Sequence, residues 1–195
     1  IYKNTMAFYH RLGDQLEKDK AIFGRGLSSS VSMLDVDFPS LRLDDIFDYI
    51  IGKIKHGDSG EITLYTKSRN QIFNDDVPWK LVCDVPDSVV GYTWFNEYIY
   101  LFSARNAPRY KVVRTPLRNP DFNSAEVVFP PSDLVYRNAT RTSDRLYFSA
   151  LDGGYNRLIE YDPISGTSKQ LPLPDNESSY IFSASHYLQD IYITS

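Results

Sequence analysis

The chain has 195 residues, 42% of them hydrophobic, enough for one sizeable core and too apolar for wholesale disorder. A formal net charge of -4 and an isoelectric point near 5.4 give no electrostatic basis for binding nucleic acid or an anionic membrane surface. No run reaches the ~18 apolar residues of a membrane span, and the single cysteine, Cys83, cannot form an internal disulfide and points to a reducing compartment such as the cytoplasm.

The first residues, Ile1-Tyr2-Lys3-Asn4-Thr5, carry no secretory signature and begin as if within a strand, the start expected of a fragment. Residues 7–11 and 20–23 read as strand pieces. Between them, residues 13–20 are the best candidate for a helix, though short and mostly polar. From there on, runs rich in Tyr, Phe, Val, Ile and Thr alternate with Gly, Pro, Asn and Asp turns, the strand-and-hairpin pattern. Strands are expected over residues 45–54, 61–67, 79–84, 89–95, 98–104, 110–117, 126–129, 145–150, 157–161, 180–185 and 191–194. The sequons Asn138-Ala139-Thr140 and Asn176-Glu177-Ser178 carry little weight without a secretory signal.

The strands recur as a set. One strand reads Phe47-Asp48-Tyr49-Ile50-Ile51, then Tyr98-Ile99-Tyr100-Leu101-Phe102, then Arg145-Leu146-Tyr147-Phe148-Ser149, then Asp190-Ile191-Tyr192-Ile193-Thr194. Its tyrosines Tyr49, Tyr100, Tyr147 and Tyr192 return every 45–51 residues. A mixed strand follows in each set (Ile62–Tyr65, Lys111–Arg114, Leu158–Tyr161), and a short fourth closes it (Trp79–Val82, Glu126–Phe129, Lys169–Pro172). Before the last of these, Tyr161-Asp162-Pro163-Ile164-Ser165-Gly166 spells a turn, with φ fixed at Pro163 and free to be positive at Gly166. Four short strands at this period predict an all-β chain of β-propeller blades, each of four antiparallel strands. The chain holds about three full blades, 31–84, 85–130 and 131–174, flanked by the end of one blade at 1–30 and the start of another at 175–195. Inner strands are expected to be buried on both faces, and outer ones to carry Lys80, Glu126, Lys169 and Gln170 to solvent.

Several segments resemble one family. Tyr9-His10-Arg11-Leu12-Gly13-Asp14, followed by Glu17-Lys18-Asp19, is similar to that family's YHxLGTxQSED stretch. Ser103-Ala104-Arg105-Asn106-Ala107-Pro108-Arg109-Tyr110-Lys111-Val112-Val113 resembles its TNxxAPNYRLV stretch. Asn119-Pro120-Asp121 with Val127-Val128-Phe129-Pro130 is similar to the segment that follows, and Trp79-Lys80-Leu81-Val82 falls in order with these. The family is the prolyl oligopeptidases, serine peptidases that include oligopeptidase B. The resemblance implies part of a seven-bladed propeller that caps an α/β-hydrolase peptidase domain and admits only short peptides. The chain departs from the pattern at Asp14, where the family has Thr, in the loosened run Gln15–Asp19, and before Tyr49, where Asp45-Ile46-Phe47-Asp48 replaces an Asp-Gly-Arg hairpin.

A serine peptidase of this kind needs the Gly-x-Ser-x-Gly elbow, and the sequence has none. No residue is therefore expected to be catalytic. Gly57-Asp58-Ser59-Gly60 looks like the nucleophile motif of another peptidase class, but reads better as a hairpin turn. His10, His56 and His186 lack metal-ligand spacing. His10 falls in a strand, and His56 in a hairpin loop that can face a ligand. Asp35, Asp37, Asp44, Asp45 and Asp48 read as solvated turn ends rather than a calcium loop. Arg105, Arg109, Lys111, Arg114 and Arg118 suit either an anion or edge charge and ion pairs to a neighbouring domain. Cys83 reads as a buried structural thiol. No metal or cofactor is expected.

The resemblance implies that Lys55, His56 and Asp58 on one propeller loop, with Met33 as an apolar wall, are the substrate-facing residues. The expected partners are the peptidase domain, short peptides, and further copies of the chain through open blade faces. A stand-alone propeller that binds protein partners as a scaffold is the alternative. A sugar-hydrolysing propeller lacks the paired carboxylates it would need.

Overall fold

The computed structural model describes residues 3–44, 47–173, 181–185 and 187–194. It is built from antiparallel strands joined by turns, with three single-turn 3-10 segments and no α-helix among the described residues. The segment 13–20 is therefore not the helix its sequence suggests. Its helical part is limited to Leu16–Lys18, one 3-10 turn without a side-chain cap or a buried residue. A helix this short and polar has no apolar face to dock. The chain divides into two compact units, Ile1–Val89 with Thr115–Ser124, and Val90–Arg114 with Ala125–Ser195.

In the first unit, β1 (Met6–Tyr9) pairs with β2 (Lys20–Gly24) as a hairpin. Then β3 (Phe38–Arg42), β4 (Tyr49–Lys55), β5 (Ile62–Ser68) and β6 (Lys80–Cys83) form a sheet in chain order. Strand β5 is buried from Ile62 to Lys67, so both faces of the sheet are covered, as blade strands require. One face gathers Ile50, Ile54, Tyr65 and Trp79 around Phe23, which is fully buried. Gly52 sits under the Phe23 ring, where a Cβ would lie 2.6 Å from Cζ. The buried Lys67 sends its ammonium to the Asn74 carbonyl at 2.7 Å, and burial lowers its pKa.

Mostly in the second unit, β7 (Val89–Phe95), β8 (Tyr98–Ser103), β9 (Lys111–Pro116) and β10 (Glu126–Phe129) pair in sequence. So do β11 (Val135–Arg141), β12 (Leu146–Asp152), β13 (Tyr155–Tyr161) and β14 (Ser168–Leu171). The hairpin β15 (Ile181–Ala184) and β16 (Ile191–Thr194) closes the chain. Local chemistry sets the turns. Gly153 and Gly154 both hold positive φ, at 56° and 95°, which the tight β12–β13 hairpin needs. The Asp162 carboxylate accepts from the amides of Ile164 and Ser165, at 2.8 and 3.2 Å, and its pKa is lowered by those bonds.

The core of this unit is an aromatic cluster. Phe148 is fully buried and meets Tyr100, Phe102, Phe129, Tyr136 and Tyr161 at centroid distances of 5.1–6.4 Å, mostly edge to face. Burial pushes the Tyr100 and Tyr136 hydroxyls up to about 12. Two strands lay outside the sequence expectation, β3 and β11. Both are edge strands of their sheets and mix polar with apolar positions.

Cys83 ends β6 and is buried, and burial raises its thiol pKa well above the free value. The folded chain is expected to resist iodoacetamide at pH 8 and to be alkylated at once in denaturant, read by mass spectrometry. Rapid labelling of the native chain would contradict this placement.

Candidate functional site

The β4–β5 hairpin carries three of the four residues singled out as substrate-facing. Its turn closes with the Ser59 amide donating to the His56 carbonyl at 2.9 Å, and Gly57 takes a φ of 54°. Lys55 and Asp58 are exposed, and their side chains make no hydrogen bond or ion pair among the described residues. His56 is held instead. Its Nδ1 lies 3.1 Å from Asp37 Oδ1, and its Nε2 lies 2.8 Å from Thr63 Oγ1. Thr63 donates onward to Asp84 Oδ1 at 2.7 Å. Three side chains from three other places in the sequence thus fix one imidazole ring.

Each end of that chain is anchored. Asp37 Oδ2 accepts from the Leu34 amide at 2.9 Å, and the Asp37 carbonyl accepts from Thr5 Oγ1 at 3.0 Å. Asp37 is 3% exposed, so it is not the solvated turn end that its acidic neighbours suggested. Partners on both carboxylate oxygens make such burial tolerable. Asp84 caps the 3-10 turn Val85–Asp87 through a reciprocal capping box with Asp87. Met33 lies on the segment before Asp37 and packs on the Phe23–Trp79 core. That segment is pinned where the Ser32 amide donates to the Tyr65 hydroxyl at 3.1 Å, whose pKa burial raises.

The Ser59 hydroxyl donates to the Glu61 carboxylate and lowers its pKa. Both His56 nitrogens face Asp37 and Thr63, so the Gly-Asp-Ser-Gly stretch is a turn with no Ser–His couple. His10 lies one residue beyond β1, not within a strand, and meets Asp19 at 2.6 Å near the surface. His186, Asp45 and the Asn176 sequon fall outside the described residues. Among the described residues no His, Cys, Asp and Glu side chains group in a way that could hold a metal ion.

Within the basic stretch, Arg109 and Arg114 each meet an acidic side chain. Arg109 meets Asp133 at 2.7 Å. Arg114 holds Glu126 through two bonds, at 2.8 and 3.1 Å, and stacks over the Tyr98 ring. Burial works against the Arg114 charge, but its paired bonds to Glu126, with the Tyr100 hydroxyl nearby, outweigh that and raise its pKa. The preceding loop, Ala104 to Tyr110, places Asn106 and Tyr110 at positive φ, 55° and 66°. For a tyrosine that conformation is strained.

Sequence reasoning found His56 but missed Asp37, Thr63 and Asp84. One signal was present, since Asp84-Val85-Pro86-Asp87 has capping-box spacing with a proline in the first turn.

Repeated four-stranded antiparallel sheets, covered on both faces and flanked by two-stranded halves, define a partial β-propeller. The profile of the prolyl oligopeptidase N-terminal β-propeller domain matches residues 2–195, and the chain belongs to that family. No curated protein matches the chain. Among solved structures, a prolyl endopeptidase from work on two such enzymes and the role of inter-domain dynamics in catalysis and specificity aligns with a TM-score of 0.76 at 19% identity, over 97% of this chain and 26% of that one. Prolyl oligopeptidase B from Galerina marginata in its apo form aligns at 0.73 and 15%, over 98% and 26%. The same protein bound to a 25mer macrocyclization substrate aligns at 0.74 and 14%, over the same shares. These likenesses show the fold, and the chain spans about a quarter of the length of those structures. No helix among the described residues is long and apolar enough to cross a membrane.

Proposed function

We propose that this chain is the non-catalytic propeller portion of a prolyl-oligopeptidase-type serine peptidase and limits access of short peptides to an active site outside residues 1–195. The match to the family's propeller across residues 2–195 carries this reading. The missing Gly-x-Ser-x-Gly elbow and the engagement of Ser59 with Glu61 support it. Residues 31–84, 85–130 and 131–174 are its full blades, with partial blades at 1–30 and 175–195. Its partners are an attached peptidase domain, short peptides and, for the isolated chain, other copies through open blade edges. The buried, unpaired Cys83 fits a cytoplasmic setting.

Within this reading, Met33, Lys55, His56 and Asp58 face the peptide. Lys55 and Asp58 offer opposite free charges to it, while Asp37, Thr63 and Asp84 keep His56 from swinging. Covered sheets are stiff and make a wall, and selection by size needs a wall rather than a reactive group.

The test uses the chain together with whatever follows it in its gene. That protein is expected to cleave octapeptides and leave unfolded casein intact. Lys55→Ala and Asp58→Ala are expected to raise KM about 3- to 10-fold for charged peptides with kcat unchanged. Equal cleavage of casein and octapeptide would contradict the access role.

A further inference from the structure

A cavity of about 280 Å³ in the first unit lies on the face of the sheet that carries Thr66. Strand pairing sets Tyr49 opposite Ser68 and Thr66 opposite Lys80, so these four side chains leave the same face of β4–β6. Leu117 and Arg118, from the segment Thr115–Ser124 of the same unit, line the cavity too. The Lys80 ammonium donates to the Arg118 carbonyl at 2.7 Å and ties the two together.

Three observations mark this cavity as built to receive a ligand. Thr66 is 1% exposed, and its hydroxyl has no hydrogen-bond partner. A buried hydroxyl left unpaired is costly, and an incoming acceptor would satisfy it. The Arg118 guanidinium is exposed and makes no hydrogen bond or ion pair among the described residues. The third is charge. No carboxylate lines the cavity, although the chain carries a net charge of -4. Lys67 also lines it, but its side chain leaves the opposite face of β5 from Thr66 and Ser68, where its ammonium meets the Asn74 carbonyl. Val77, Pro78 and Leu117 supply an apolar wall.

The geometry points to a binding site for a small amphipathic carboxylate. Its carboxylate is held by Arg118 and Lys80 with Thr66 as hydroxyl donor, and its short apolar group packs on Val77, Pro78 and Leu117. Arginine suits this task because its planar fork can meet both oxygens of a carboxylate. The volume sits at the lower limit of small-molecule pockets and suits a ligand of amino-acid size. A free branched-chain acid and the C-terminal residue of a peptide share this chemistry. This site is separate from the β4–β5 hairpin and does not depend on the access role.

The test is amide NMR titration of the 195-residue chain with three probes: N-acetyl-leucine, N-acetyl-leucinamide and isocaproate. The two carboxylates are expected to give saturable shifts around Thr66, Lys80 and Arg118, with the amide at least about tenfold weaker. Tighter binding of N-acetyl-leucine than isocaproate would assign a peptide terminus, and equal binding a free acid; both outcomes support the site. Arg118→Gln is expected to weaken the carboxylates about tenfold with circular dichroism unchanged, and Thr66→Val to weaken them several-fold. Amide binding as tight as acid, shifts indifferent to Arg118→Gln, or no saturable shift at millimolar probe would overturn the proposal.

Discussion

Phe148→Ala is expected to cost about 3–5 kcal/mol, the range for removing a buried phenylalanine from a close-packed core. The ring is fully buried and contacts five other aromatic rings, so its loss leaves a cavity that they cannot all lean into. Against a domain stability of roughly 5–15 kcal/mol, that is a large share. The loss should appear first in the unit that holds Phe148. The two tryptophans report on the units separately, since Trp94 lies in the same unit as Phe148 and Trp79 in the other. In urea, the Trp94 indole resonance of the variant is expected to shift to its unfolded position well before that of Trp79. Phe148→Leu should fall between variant and parent. A cost below about 1 kcal/mol would mean that the ring is not the hub of this core.

Gly52→Ala is expected to destabilise the first unit by roughly 1–3 kcal/mol through overpacking. The added Cβ would meet Phe23 at 2.6, 2.7 and 3.0 Å, on Cζ, Cε2 and Cε1. Phe23 cannot step aside easily, because Trp79 packs on it at 4.7 Å and Tyr65 at 6.0 Å. Trimming the obstacle should relieve the clash. In a Phe23→Leu background, Gly52→Ala is expected to cost markedly less than in the parent, with a coupling of about 1 kcal/mol or more by urea denaturation. Strict additivity of the two changes would contradict the close approach. The reason for this glycine is therefore space, since β4 is regular extended strand there.

Much of the architecture was legible because local chemistry repeats. Strands β7, β10 and β16 fall where apolar and aromatic runs meet turn residues, and the return of similar strands every 45–51 residues predicted the sheets. The strands that escaped notice were β3 and β11. Phe38-Pro39-Ser40-Leu41-Arg42 contains a proline, which an edge strand tolerates because one row of amides lacks a ladder partner. Val135–Arg141 is polar through its middle and carries an irregularity between Tyr136 and Asn138. Neither keeps the apolar pattern that marks a strand buried on both faces.

The site was less legible for a different reason. His56 could be singled out by its place in a hairpin loop. Its partners Asp37, Thr63 and Asp84 come from the segment before β3, from β5 and from the residue after β6, and only folding brings them to one ring. Asp37 in particular sits in an acidic run, and nothing local separates a buried carboxylate from its exposed neighbours. Thr66 and Arg118, which line the cavity of the first unit, lie on β5 and beyond β9 and share no motif.

The central proposal, that catalysis belongs to residues outside this chain, is tested most directly by mapping a fluorophosphonate label, which reacts with activated serines. The 195-residue chain alone should take up no label. The longer protein that contains it should be labelled on a single serine beyond residue 195. Stoichiometric labelling of Ser59, or of any other serine within the 195 residues, would contradict the account.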